Sequence, residues 1–563
     1  MLMIKQIHYE VFVIRAGDRG WVLQEAYAER GEALNAAKYA LLQNTFSGAK
    51  VVKETCNLAT GEYLPITVFE EGGPKVVKHK RQLRPEGVRL PCATPSDLYA
   101  PEARAAISRV LEDTLKGEGL TTMELLHRAD VLQSLQSRGT VMQHAVQKWA
   151  VPQAPAENLP VTEIIKQLND LVSRGMARVF TEDRAGRCPK DAEGNLGRAW
   201  QAARAAPEPN YVINCVIART LSKTSGCSKK LPLLLSLMDH LPDDARGQAV
   251  CLASIDDFAA EMVSGRTSLA EFLGAQPDLG ASLSLMVDLF LGNADNPDIA
   301  GRKGLKQLVG FFASDGLPQS RKAIVTRVLQ ELNGIKRLSP DDILREVTLT
   351  RHLAKRMVLC QGPMVSLEDI VAAFETRSVR LTALEMAEEY MAAAATPDAR
   401  IEALLDLEDN IIGSASKARL VNYILPILTG PKMERRFLDA DEPLLRRLGC
   451  LAALQGRVLA SGFPETEKDQ VVEAFDALSS RVEEEGQLFQ SISRRAVSGA
   501  EKALTMLRLL DAKVLTEGTC ATRASRHILQ WMRDPDFASS LAEVNFSPRQ
   551  GGFENPLDWF RDL

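Results

Sequence analysis

The feature that most constrains this chain is a change of hydrophobic period. Between His8 and Arg15, Tyr9, Val11 and Val13 alternate with Glu10, Phe12 and Ile14, the period of two that sends alternate side chains to opposite faces of a strand. Beyond about residue 99 the spacing becomes three and four. Val471, Phe475, Leu478 and Val482 share one face, and Ala503, Met506, Leu507 and Leu510 another, as in helices that must pack on partners. The sequence therefore predicts an α+β multidomain chain. A small N-terminal β-β-α-β-β module precedes a large all-α helical body, either an irregular bundle or stacked helical hairpins.

The module occupies residues 1–70. A Gly/Asp turn at 16–20 joins the first strand to a second at 21–28, too short a link for anything but an antiparallel pair. Residues 30–44 carry Ala33, Leu34, Ala37, Ala40 and Leu41, a helix with an apolar face small enough to lie flat on a sheet. Strands at 49–56 and 63–69 complete the unit. At about seventy residues it is near the smallest size that folds alone, and such a module suits docking better than catalysis.

Residues 71–98 lose apolar periodicity and read as a basic linker. The 563 residues are too many for one core, so the body is divided near 314–319 into helical domains at 99–316 and 317–545. Residues 546–563 form a flexible tail with a short aromatic motif. Thr121/Glu124, Ser366/Asp369 and Thr466/Asp469 have capping-box spacing, and Ser339-Pro340 and Thr396-Pro397 place a cap before an N1 proline. No motif recurs at thirty to fifty residues, so the sequence does not declare a repeat array.

Charge excludes some partners. The formal net charge of −5 creates no field that would steer the whole chain to nucleic acid. The longest apolar runs, 231–238 and 281–287, are far shorter than the roughly 18 residues of a membrane span. The N-terminus lacks the apolar core of a secretory signal. Nine scattered cysteines are odd in number and set in apolar helical stretches, which fits reduced thiols in a cytoplasm. The alanine- and arginine-rich helices have the composition of bacterial proteins.

The chain has no G-x-x-x-x-G-K-[ST], G-x-S-x-G or H-E-x-x-H motif, and its seven histidines are too dispersed for a local zinc motif. No catalytic residue, cofactor or metal ligand is assigned. Ser414-x-x-Lys417 matches a serine–lysine nucleophile, but Ser414 reads more simply as a helix cap. Three other segments are candidates for binding. At 222–230 (SKTSGCSKK), Ser228, Lys229 and Lys230 open an apolar helix where N–H groups could hold an anion, against the simpler reading of a solvated loop. In the linker, Lys75, Lys78, Lys80, Arg81 and Arg84 form a basic patch without the aromatic platform that would stack bases. In the tail, Leu557, Trp559, Phe560 and Leu563 make the apolar side of a short helix started by Asn555-Pro556, able to dock in a groove or fold back on its own body.

These features favour a non-catalytic protein-interaction or regulatory scaffold of the cytoplasm, with another protein as partner. The first alternative is an enzyme or small-ligand sensor with an inter-helix pocket. The second is association with nucleic acid through the basic linker, which the near-neutral charge makes unlikely.

Overall fold

The alternation at the N-terminus becomes an antiparallel sheet because every second side chain has somewhere apolar to go. The computed structural model describes residues 5–15, 21–43, 45–57, 62–72, 92–157, 159–265, 271–439 and 441–543. In it β1 (Lys5–Arg15), β2 (Val22–Tyr27), α1 (Arg30–Leu42), β3 (Phe46–Asn57) and β4 (Glu62–Gly72) follow in order, with sheet order β2-β1-β3-β4. Val11 pairs with Glu25 on one side and Val51 on the other. Val11, Val13, Ala49 and Val51 bury one face against Ala33, Ala37 and Ala40 of α1. Alanines at this spacing let the helix axis approach the sheet closely.

The chain separates into two compact units: residues 1–277 with 281–330, and 278–280 with 331–563. The boundary in the body lies at Gln330/Glu331, inside the helix Pro318–Asn333, rather than near 314–319. Periodicity cannot locate such a boundary, because one helix serves both units. The module shares the first unit with body helices. Part of the presumed linker is ordered structure: β4 runs to Gly72, and a 3₁₀ turn at Pro95–Tyr99 is held by Asp97, whose carboxylate accepts the N–H groups of Ala93 and Thr94 at 2.9 and 2.7 Å. The linker cations Lys75, Lys78, Lys80, Arg81 and Arg84, and the tail residues Leu557, Trp559, Phe560 and Leu563, lie outside the described residues.

The body is helical throughout its described length, and consecutive helices pack on one another. Thr140–Glu157 meets Val161–Arg184, Leu196–Ala203 meets Pro209–Leu221, Leu444–Ala460 meets Glu465–Gly486, and Gly499–Asp511 meets Thr519–Met532. Thr121, Ser366 and Thr396 cap as their spacing predicts. Two other starts differ. Thr466 lies inside the helix Glu465–Gly486, which Pro464 opens with φ −59°, a value its ring already imposes. The helix after Ser339-Pro340 begins only at Ile343, because Asp342 accepts the Arg345 N–H and the Ser339 N–H is taken by the Glu346 carboxylate.

The second unit has one continuous core, running from Val347 through Leu420, Phe475 and Leu504 to Leu541. Its buried polar groups hold helix ends. Asp476 accepts the Thr516 hydroxyl at 2.9 Å and the N–H groups of Thr519 and Cys520 at 2.6 and 3.1 Å, so one carboxylate caps Thr519–Met532. Gly518 beside it has φ +133°, and a Cβ there would stand 2.5 Å from the Asp476 oxygen, so glycine is required on two counts. Among the described residues, no helix is long and apolar enough to cross a membrane.

Candidate functional site

The first unit is organised around a six-residue helix, Thr122–His127, every residue of which is buried. Its start is a capping box: the Thr121 hydroxyl accepts the Glu124 N–H at 3.2 Å, and the Glu124 carboxylate accepts the Thr121 N–H at 3.0 Å. Glu261 accepts the N–H groups of Thr122 and Met123. Burial raises the Glu261 carboxyl pKa, opposed by Arg104 and those N–H donors. Glu124 also receives the Lys230 ammonium at 2.6 and 2.7 Å, and Lys230 donates as well to the Gly119 carbonyl at 2.6 Å. A buried ion pair holds only where such extra hydrogen bonds offset desolvation.

One side of this helix, through Leu125 and Leu126, faces an apolar cavity of about 270 Å³. Two long helices form the opposite walls. Met142, Val146, Trp149 and Gln153 project from Thr140–Glu157, and Ile164, Leu168, Leu171, Gly175 and Val179 from Val161–Arg184, both at the three-and-four spacing of a single helix face. At Gly175 a Cβ would come within 2.7 Å of Cδ1 at the flexible end of Leu98, which also lines the cavity. The space is partly open to solvent, so a ligand can enter it from outside. Its polar lining includes the amides of Gln153, which is buried, and Gln167, which is exposed. Cys92 also lines it, with its thiol pushed up by burial and by Asp97.

The other end of the helix carries His127 into an aromatic cluster. Its ring lies 5.1 Å from that of Tyr99 and 5.0 Å from that of Tyr211, and the Arg178 guanidinium stands 4.9 Å from both tyrosine rings. The cage thus holds a cation from its own chain. Nδ1 of His127 is 2.7 Å from the Met123 carbonyl, so it carries the proton of the neutral ring, while Nε2 is buried and has no hydrogen-bond partner. Burial pushes the imidazole pKa down to about 4, the Met123 carbonyl opposes that, and Arg104 and Arg178 push further down.

The anion candidates at 222–230 fall beside this site. Cys227 and Ser228 do present N–H groups at a helix start, but both donate to Glu271 at 3.0 Å, and the Ser228 hydroxyl joins them at 2.7 Å. The charge gathered there comes from within the chain. Lys230 is consumed by Glu124, while Lys229 faces solvent and Lys223, also exposed, pairs with Glu193 at 3.0 Å. Ser414 is not a cap: Gly413, at φ +93°, takes that position, and the Lys417 ammonium is held by Glu408. The described cysteines are free thiols, mostly buried.

Sequence reasoning missed both the cavity and the cage. The apolar faces of 142–153 and 164–179 were visible as helical stripes, but a stripe reads the same whether it meets another side chain or empty space. Tyr99, His127, Arg178 and Tyr211 meet only through tertiary structure. No family model matches the chain, and comparison with curated proteins and with solved structures returns no match either.

Proposed function

We propose that this chain is a non-catalytic, ligand-responsive regulatory protein of the cytoplasm, binding a small apolar molecule in the cavity against Thr122–His127. The single observation that carries this reading is the cavity itself, about 270 Å³ and walled by aliphatic side chains. A dry cavity of about 150 Å³ takes a benzene ring, so this one suits a two-ring or medium-chain molecule. Gln153 and Gln167 can orient a carbonyl or hydroxyl on such a ligand, and amides bind without exchanging protons at neutral pH. Binding rather than catalysis is what this lining can do. Free thiols at the described cysteines support a reducing compartment. A regulator of this kind passes the binding event to another protein.

Burying about 250 Å² of ligand surface would contribute about 6 kcal/mol before ordering costs, which corresponds to a Kd of tens of micromolar at best. The test uses 1-naphthylamine, an uncharged two-ring fluorophore, with the full chain. Saturable one-to-one binding in the micromolar range is expected, weakened by about tenfold or more in both Leu168→Trp and Met176→Trp, which fill the cavity from its half-buried side. Absence of saturable binding, or equal binding by wild type and both folded variants, overturns the reading.

A further inference from the structure

We propose that Cys188 and Cys215 form a redox-active thiol pair that a hydroperoxide converts to a disulfide. The two side chains pack in one buried cluster with Tyr211, where the Cys215 thiol donates to the His127 carbonyl at 3.8 Å. Cys188 sits in the loop between Val161–Arg184 and Leu196–Ala203, and Cys215 in the middle of Pro209–Leu221. Three contacts pin that loop to the second helix. Arg219 donates to the Cys188 carbonyl at 3.0 Å, Thr220 accepts the Gly194 N–H at 3.1 Å, and Lys223 pairs with Glu193 at 3.0 Å. Gly186 and Gly194, both at positive φ, turn the chain at either side of Cys188. These contacts hold the Cys188 loop against the helix that carries Cys215.

The two members are unlike, as a nucleophile and a resolving thiol should be. The neighbouring Cys215 side chain and the Arg219 charge lower the Cys188 thiol pKa against burial, Asp183 and Glu182. Burial pushes Cys227 and Cys251 up to about 12 and Cys520 up to about 11. Both are buried, but Cys188 is 8% exposed and Cys215 2%, so of the two Cys188 is the one a small peroxide reaches first. Its thiolate attacks the peroxide, an S–O bond forms as the O–O bond breaks, and an alcohol or water leaves. Cys215 then attacks the sulfenic sulfur, an S–S bond forms, and the hydroxyl leaves as water with the Cys215 proton. In sum, two thiols and one hydroperoxide yield a disulfide, an alcohol and a water. A dithiol reverses the reaction.

The test treats the full folded chain with a small excess of tert-butyl hydroperoxide, blocks remaining thiols with N-ethylmaleimide, and maps peptides by mass spectrometry. A Cys188–Cys215 cross-linked pair, lighter by two hydrogens and lost on dithiothreitol treatment, is expected at least about tenfold faster than oxidation of Cys227, Cys251 or Cys520. In Cys215→Ser, dimedone should trap a sulfenic acid at Cys188; in Cys188→Ser, Cys215 should stay unlabelled. Matching far-UV circular dichroism confirms that both variants fold. Cys188 oxidised to sulfinic acid in wild type with Cys215 still alkylated, or no selectivity over the other buried cysteines, overturns the proposal.

Discussion

The two units spend their buried groups differently. In the second, the core from Val347 to Leu541 is continuous, and Asp476 and Gln455 meet several partners apiece: Gln455 bonds the Val472 carbonyl and both the carbonyl and N–H of Glu517. The helical part of the first unit also buries many apolar side chains, Ile213, Leu231, Phe258 and Phe312 among them, but beside Thr122–His127 it leaves an open cavity and a histidine ring whose Nε2 has no partner among the described residues. Satisfied networks and dense cores give stability and a single packing. Unfilled space and an unpartnered buried atom lower stability, so they persist where something other than stability selects them.

Four measurements bear on this contrast, each by chemical denaturation of the full chain. Lys230→Met should have the largest effect, roughly 4–5 kcal/mol, because it leaves the Glu124 carboxylate buried without its cation. Lys229→Met should stay within about 0.5 kcal/mol, being exposed. Equal effects would mean that the ion pair does not hold the Thr122–His127 helix. In the second unit, Leu420→Ala removes a fully buried side chain and should cost roughly 3–4 kcal/mol.

The third measurement concerns pH. His127 is neutral in the folded protein down to about pH 4, whereas an unfolded histidine takes its proton near 6.5. Between those values the unfolded chain binds more protons, so stability falls as pH falls and levels off below about 4. The loss approaches about 3 kcal/mol. His127→Phe, which keeps the ring packing, should be less stable at pH 7 but lack this part of the slope. Parallel stability curves for the two proteins would place the acid sensitivity elsewhere. Apart from the Lys229→Met control, the smallest effect is expected at Leu168→Ala, about 1 kcal/mol, since that side chain already faces empty space on one side. A loss equal to that of Leu420→Ala would show the cavity wall to be packed as tightly as the second core.

Most of the architecture was legible because it rests on local chemistry. The strand alternation around Val11 and Val13, the alanine face of α1 and the Thr121, Ser366 and Thr396 caps depend on neighbours within a few positions. The boundary at Gln330/Glu331 and the caps supplied by Glu261, Glu271 and Asp476 depend on residues remote in sequence. The lysines at 229 and 230 show the limit most clearly. They are chemically identical neighbours, and only the tertiary position of Glu124 makes one a buried anchor and the other a surface charge.

The Thr122–His127 helix also sets a schedule for biosynthesis. Its first N–H group waits for Glu261, a partner 139 positions further along the chain, and Glu124 waits for Lys230. At roughly 5–20 residues per second on the ribosome, the gap to Glu261 lasts on the order of ten seconds. For that interval the nascent segment displays Leu125 and Leu126 without the Glu261 contact or the Lys230 counter-charge, so the packing around this helix cannot close before Glu261 has been made.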